Sequence, residues 1–287
     1  MEKTHKSIKI IILFLLCSIF LISTFVFTGA KREETEKTDG TFLPVIMYHS
    51  LLKDKKLLND YTISPAVFEN DLKYLTENGY TAITVSDLLN YVYADKPLPQ
   101  KPIMLTFDDG YYNNYYYAFP LLKKYKCRAV ISPIAAVSEK FTETTDISVT
   151  YGHITFGDIK EMSDSGFVEI QNHSYNMHSL SSRRGVSKKA GESEESYKKA
   201  LCDDVSKAQS MLKNATGKTP DCFVYPFGAE SESTQDIIKE MGFSCTLTCT
   251  EKPNIITKNP DSLFELGRYR RDGGETMQNL LMRINSD

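Results

Sequence analysis

From Leu43 onward, short apolar runs alternate with stretches of helical periodicity, and this alternation narrows the fold more than any other feature. The runs are Val45–Tyr48, Ala82–Val85, Ile103–Phe107, Arg128–Pro133, Val168–Gln171, Phe223–Tyr225 and Ser244–Thr248. Short apolar runs separated by helices mark a parallel sheet buried on both faces. Ser64-Pro65 reads as an N-cap followed by proline at the first helical position, and Gly79 closes that helix. Tyr115–Lys126, Phe156–Ser165, Glu194–Asn214 and Thr234–Met241 read as further helices, with Gly166, Gly217 and Gly242 at or just past three of the ends. About seven such units favour a βα barrel over an open sheet, although periodicity alone leaves both open. Ser179–Ser196 is polar, contains Gly185 and Gly191, and reads as a surface loop.

The 287 residues are 41% hydrophobic and 25% charged, which excludes collagen-like, disordered and multi-span membrane chains. A formal charge of -3 argues against a nucleic-acid partner, which calls for a basic face or stripe. The first thirty residues stand apart. Lys3, Lys6 and Lys9 precede an uncharged run from Ile10 to Phe27, and Thr28-Gly29-Ala30 follows. That order is a secretory signal, but the run exceeds the usual apolar region of about 7–15 residues, so an uncleaved membrane anchor is the alternative. Either way the remainder is exported, to be secreted or held at the cell surface. Cys17 follows Leu16 rather than a small residue, against lipoprotein cleavage. Residues 31–41 read as a charged linker, leaving 42–287 as one domain. The later cysteines, Cys127, Cys202, Cys222, Cys245 and Cys249, are odd in number and scattered, which is no disulfide framework. Cys245 and Cys249 read as core thiols rather than a metal pair.

Three strand ends carry His or Asp suited to chemistry, and a fourth breaks at a turn. Ile103–Phe107 runs into Asp108-Asp109-Gly110, and in a βα barrel the carboxyl ends of the strands form the active-site face. Adjacent carboxylates in a dry pocket raise each other's pKa. A cation relieves this, with one acid as ligand and the other left as a base; a helix N-cap is the simpler alternative. Val168–Gln171 runs into a loop holding His173 and His178. On a helix that spacing is about 500° of rotation and the rings would not share a face. On a loop they can converge, and Asp with two His suits a divalent metal with open positions. Val45–Tyr48 ends at His49, and Phe223–Tyr225 breaks at Pro226-Phe227-Gly228, a turn that frees backbone N–H groups to face a pocket. His153 lacks such context and reads as surface or structural.

Together, Thr106-Phe107-Asp108-Asp109-Gly110, His173-Ser174 with His178, and Tyr225-Pro226-Phe227-Gly228 resemble the polysaccharide deacetylase family, the NodB-homology domain of carbohydrate esterase family 4. The resemblance runs from about Leu43 to Arg271 and implies a distorted (β/α)7 barrel. It implies Asp108 as catalytic base, Asp109, His173 and His178 as ligands of a metal that is usually zinc, and the Phe227 N–H as an oxyanion donor. The wider histidine spacing, the lack of tryptophan and the absence of any histidine after His178 depart from the common pattern. They resemble instead the exported poly-N-acetylglucosamine deacetylases, in which an early Tyr-His, here Tyr48-His49, supplies the acid. Val224 stands where many members carry an arginine, and Arg268 is the candidate to orient Asp108, against the simpler reading of a surface arginine. The implied activity is metal-dependent removal of acetyl groups from N-acetylglucosamine units of an extracellular polysaccharide of the poly-β-1,6 type. Peptidoglycan deacetylation, xylan acetyl-ester hydrolysis and a glycan-binding pseudoenzyme are the competing readings. Tyr111, Tyr112, Tyr115, Tyr116 and Tyr117 read chiefly as packing residues, and Arg183, Arg184, Lys188 and Lys189 as a solvated loop.

Overall fold

The computed structural model describes residues 40–144, 147–181 and 183–286, so the signal or anchor, Cys17 and nearly all of the linker lie outside the described residues. Twelve strands appear among the described residues: β1 Thr41–Phe42, β2 Val45–Tyr48, β3 Ser50–Leu51, β4 Thr62–Ile63, β5 Thr81–Ile83, β6 Pro102–Asp109, β7 Ala129–Pro133, β8 Val168–Ile170, β9 Cys222–Val224, β10 Cys245–Leu247, β11 Ile255–Ile256 and β12 Tyr269–Arg270. Thr41, inside the span read as linker, already pairs with Ile256.

The barrel is built from parallel staves in the order β12-β2-β6-β7-β8, with β9 and β10 paired separately. Single bridges join the two parts, Asn172 to Phe223 and Leu247 to Leu266. The ring therefore closes through seven staves, with distortion at the two single-bridge seams. Six of the seven predicted strands are staves. The exception is Ala82–Val85, since β5 pairs only with the start of β6. The chain leaves that strand at Thr84, whose N–H donates to the Asp87 carboxylate at 2.8 Å and opens a helix from Val85 to Ala94. This reciprocal cap wins over the β-branched run. The true seventh stave is β12, a two-residue strand among arginines that carries no apolar signature.

Other helices fall close to their predicted spans: Pro65–Glu77, Phe119–Tyr125, Phe156–Asp164, Glu194–Thr216 and Thr234–Glu240. Helices Ala135–Thr142 and Met277–Ile284 were not apparent in the sequence pattern. Among the described residues no helix is long and apolar enough to cross a membrane. Side chains alternate across each stave. Val45, Met104, Val130, Val224 and Leu247 fill the barrel, while Ile46, Tyr48, Leu105, Phe107 and Ile131 pack against the helices. All are buried, each contributing roughly 1.5–3 kcal/mol of transfer free energy for the larger side chains.

Candidate active site

Along β6 the inward positions read Met104, Thr106 and Asp108, so a regular strand would aim Asp109 outward. Left-handed backbone at Asp109 (φ 68°) and Gly110 (φ 71°) breaks that alternation, and both acids serve one pocket. A Cβ on Gly110 would sit 2.7 Å from that of Pro133, so only glycine fits. Ser174 (φ 69°) and Phe227 (φ 58°) are two more non-glycine residues held in this region beside the site. Such backbone strain persists where surrounding structure fixes it, and it gathers at functional sites.

Asp109, His173 and His178 place one donor atom each within 4.8 Å of one another. Asp109 Oδ1 lies 3.1 Å from His178 Nε2 and 3.5 Å from His173 Nε2. That oxygen is buried without a well-formed hydrogen bond. His173 Nδ1 lies 2.7 Å from the Val224 carbonyl, which can only accept, so Nδ1 carries the proton and the Nε2 lone pair faces Asp109. Burial would lower the His173 pKa, yet the Asp109 and Asp108 carboxylates raise it overall. Burial likewise pushes Asp109 up, and the two imidazoles more than offset this and hold it well below the carboxylate range. Negative charge is concentrated where a cation would relieve it. The three donors thus fit a divalent metal with open coordination positions.

Asp108 is held differently. Arg268 donates to both of its oxygens at 2.7 Å, and the guanidinium is wholly buried. Arg268 Nε also donates to the Thr248 carbonyl at 2.8 Å, and Nη2 reaches Cys249 Sγ at 3.6 Å. Burial raises the Asp108 pKa, but Arg268, with His173 and His49, more than compensates and leaves it lowered. The surface-arginine reading is therefore wrong: Arg268, just before β12, is wholly buried. His49 Nε2 stands 4.0 Å from Asp108 Oδ2, and its Nδ1 is buried without a partner. Burial lowers the His49 pKa against the pull of Asp108 and Asp109. Tyr48 points the other way, into the core between Phe68 and Phe107, with its hydroxyl on Asp71. Of that dipeptide, only the histidine faces the pocket.

Phe227 lays its ring against His178 at 4.3 Å between centroids. Its turn is backed by Gly185, where a Cβ would meet the Pro226 carbonyl at 2.4 Å, so the polar loop packs on the site rather than floating. That loop is internally tied: Arg183 pairs with Glu192 and Lys188 with Glu194. Of the two readings of His153 the structural one fits, and the residue is half-buried. Its Nδ1 meets the Asp109 carbonyl at 3.1 Å, and its ring packs on Tyr111 and Phe141. Tyr111 stands beside the Asp109 side chain, and burial with that acid pushes its phenol up to about 12. Neither residue carried a sequence signal, because both reach Asp109 through a bridge formed only on folding. The described cysteines are all free, and Cys222 faces Cys245 across β9 and β10 in the core.

A parallel barrel with its polar centre at the carboxyl ends of the staves defines a class of enzyme-bearing folds. The chain belongs to the polysaccharide deacetylase family, whose profile matches residues 95–246, more than half of its length. It is 28% identical over 227 residues to a poly-β-1,6-N-acetyl-D-glucosamine N-deacetylase of Staphylococcus aureus, covering 78% of this chain and 72% of that protein. The structure of IcaB from Ammonifex degensii is similar with a TM-score of 0.65 at 26% identity, covering 82% of this chain and 93% of IcaB. A de-N-acetylase from Aggregatibacter actinomycetemcomitans shares the fold, with a TM-score of 0.71 at 24% identity over 84% of this chain and 99% of that one.

Proposed function

We propose that the chain is an exported N-deacetylase that releases acetate from N-acetylglucosamine units of an extracellular polysaccharide of the poly-β-1,6 type. The observation that carries this reading is the convergence of Asp109, His173 and His178 beside an arginine-held Asp108. The relative from Staphylococcus aureus, named for that polymer, supports the choice of substrate. Residues 1–30 provide export, as signal or anchor.

A divalent cation on Asp109, His173 and His178, with zinc the first choice for this donor set, would polarise the acetyl carbonyl and acidify a water. Asp108, kept ionised by Arg268, takes the proton from the attacking water. The Phe227 N–H donates to the carbonyl oxygen as negative charge develops. His49 gives a proton to the departing nitrogen, the C–N bond breaks, and acetate and a free amine remain. Its lowered pKa makes the imidazolium a stronger acid, and a smaller fraction of the ring carries the proton at neutral pH.

Acetate release from poly-β-1,6-N-acetylglucosamine, peptidoglycan and acetylated xylan tests the reading. The first polymer should be preferred, with activity lost on chelation and restored by zinc. Preference for peptidoglycan or xylan would replace the substrate, and no release from any of them by the zinc-loaded chain would leave a glycan-binding pseudoenzyme.

A further inference from the structure

Beside His49 stands an aromatic ring that the chemistry above does not use. The Tyr61 ring lies 5.0 Å from that of His49 at 79°, and the residue is 51% exposed. Exposed aromatics are common singly, but this one is held in place from several sides. Its N–H donates to Asn59 Oδ1 at 2.8 Å, and its carbonyl accepts from the Ser50 N–H at 3.0 Å. Asn59 and Thr62 exchange both backbone hydrogen bonds at 3.1 Å, which closes a tight turn around it. The Arg270 guanidinium covers part of the ring at 5.1 Å from its centroid and pairs with Asp60 at 3.3 Å. A cation over an aromatic face holds that face in place. The uncovered part of the ring stays open beside His49.

We infer that Tyr61 is a preorganised sugar platform, on which a pyranose ring of the hexosamine polymer packs its apolar C–H face. The inference rests on the proposed deacetylation. If His49 protonates the nitrogen on a sugar carbon, that sugar lies within a few ångströms of His49 and its chain neighbours about one ring farther, where Tyr61 is an open apolar surface. An aromatic ring supplies contact area at low entropic cost, and its fixed backbone means that little order is lost on binding. Tyr61 is thus a specificity-determining residue for the polymer, while the acetyl group is handled by the Asp108 side of the pocket.

The test compares wild type, Tyr61→Ala and Tyr61→Phe, zinc-loaded, on a β-1,6-linked N-acetylglucosamine pentasaccharide. Losing the ring should raise KM about tenfold or more, the scale of one buried aromatic anchor, with kcat changed less than about threefold. Tyr61→Phe should keep KM within about twofold, because the ring and not the hydroxyl makes the contact. Calorimetry with the same pentasaccharide should show Kd for Tyr61→Ala weakened in parallel with KM. An unchanged KM and Kd overturns the inference, and so does a fall in kcat as large as the rise in KM, which would make Tyr61 a support for His49. Wild type that binds the sugar without releasing acetate refutes the enzymatic reading instead, and the Kd ratio then decides the platform alone.

Discussion

Two arginines three positions apart around β12 make the same bond for different ends. Arg268 points into the barrel and grips Asp108 through both oxygens at 2.7 Å. Arg271 points out and grips Asp71 through both oxygens at 2.9 Å. All four side chains are at most 2% exposed. The surroundings separate them. Asp108 has His173 and His49 nearby, and with Arg268 they outweigh burial, so its pKa is lowered. Asp71 has, among the described residues, the Tyr48 hydroxyl at 3.1 Å besides Arg271, and burial wins, so its pKa is raised. A buried bidentate pair is therefore not in itself a sign of catalysis. What marks the inner pair is its opening onto the pocket of Asp109, His173 and His178. The outer pair ties β12 to the helix Pro65–Glu77, and the Arg271 N–H on the Met47 carbonyl at 2.9 Å extends the stave's bond to β2.

The comparison can be broken from either side. Chelation should abolish acetate release altogether, and zinc should restore it, whereas the melting transition of the outer pair's variants should be unaffected by the order of these additions. Asp108→Asn should lower kcat by about 10²–10⁴-fold while zinc binding persists, read by acetate release and metal analysis. Retained turnover would remove Asp108 from the chemistry. Arg271→Met leaves Asp71 buried and unpaired, and should cost about 3–5 kcal/mol in denaturant unfolding, with kcat per folded molecule within about threefold. A large loss of kcat there would erase the distinction between the pairs. Tyr48→Phe removes one hydrogen bond to Asp71 and should cost about 1 kcal/mol with activity unchanged.

Six staves were readable because parallel strands buried on both faces need uninterrupted apolar residues. β12 was not, since Arg268 and Arg271 are neutralised by Asp108 and Asp71, whose sequence distances of 160 and 200 residues hide the pairing. Ala82–Val85 was misread at its end because Val85 suits strand and helix alike, and the Thr84–Asp87 cap decided. Asp108, Asp109, His49, His173 and His178 were legible because each follows the end of an apolar run or opens the loop beyond it. The contacts of His153, Tyr111 and Tyr61 were not, as each meets the site through neighbours brought close only on folding.

By itself the sequence determined the strand–helix alternation, the family, and which ionisable side chains stand at strand ends, because periodicity and short motifs are local. Tertiary structure decided which of two charged arginines is interior, that Tyr48 turns away while His49 turns in, and that Asp109 shares a pocket with Asp108. The reason is physical: a side chain's direction depends on backbone angles such as the φ of 68° at Asp109, and a charge becomes buriable only when a distant partner arrives.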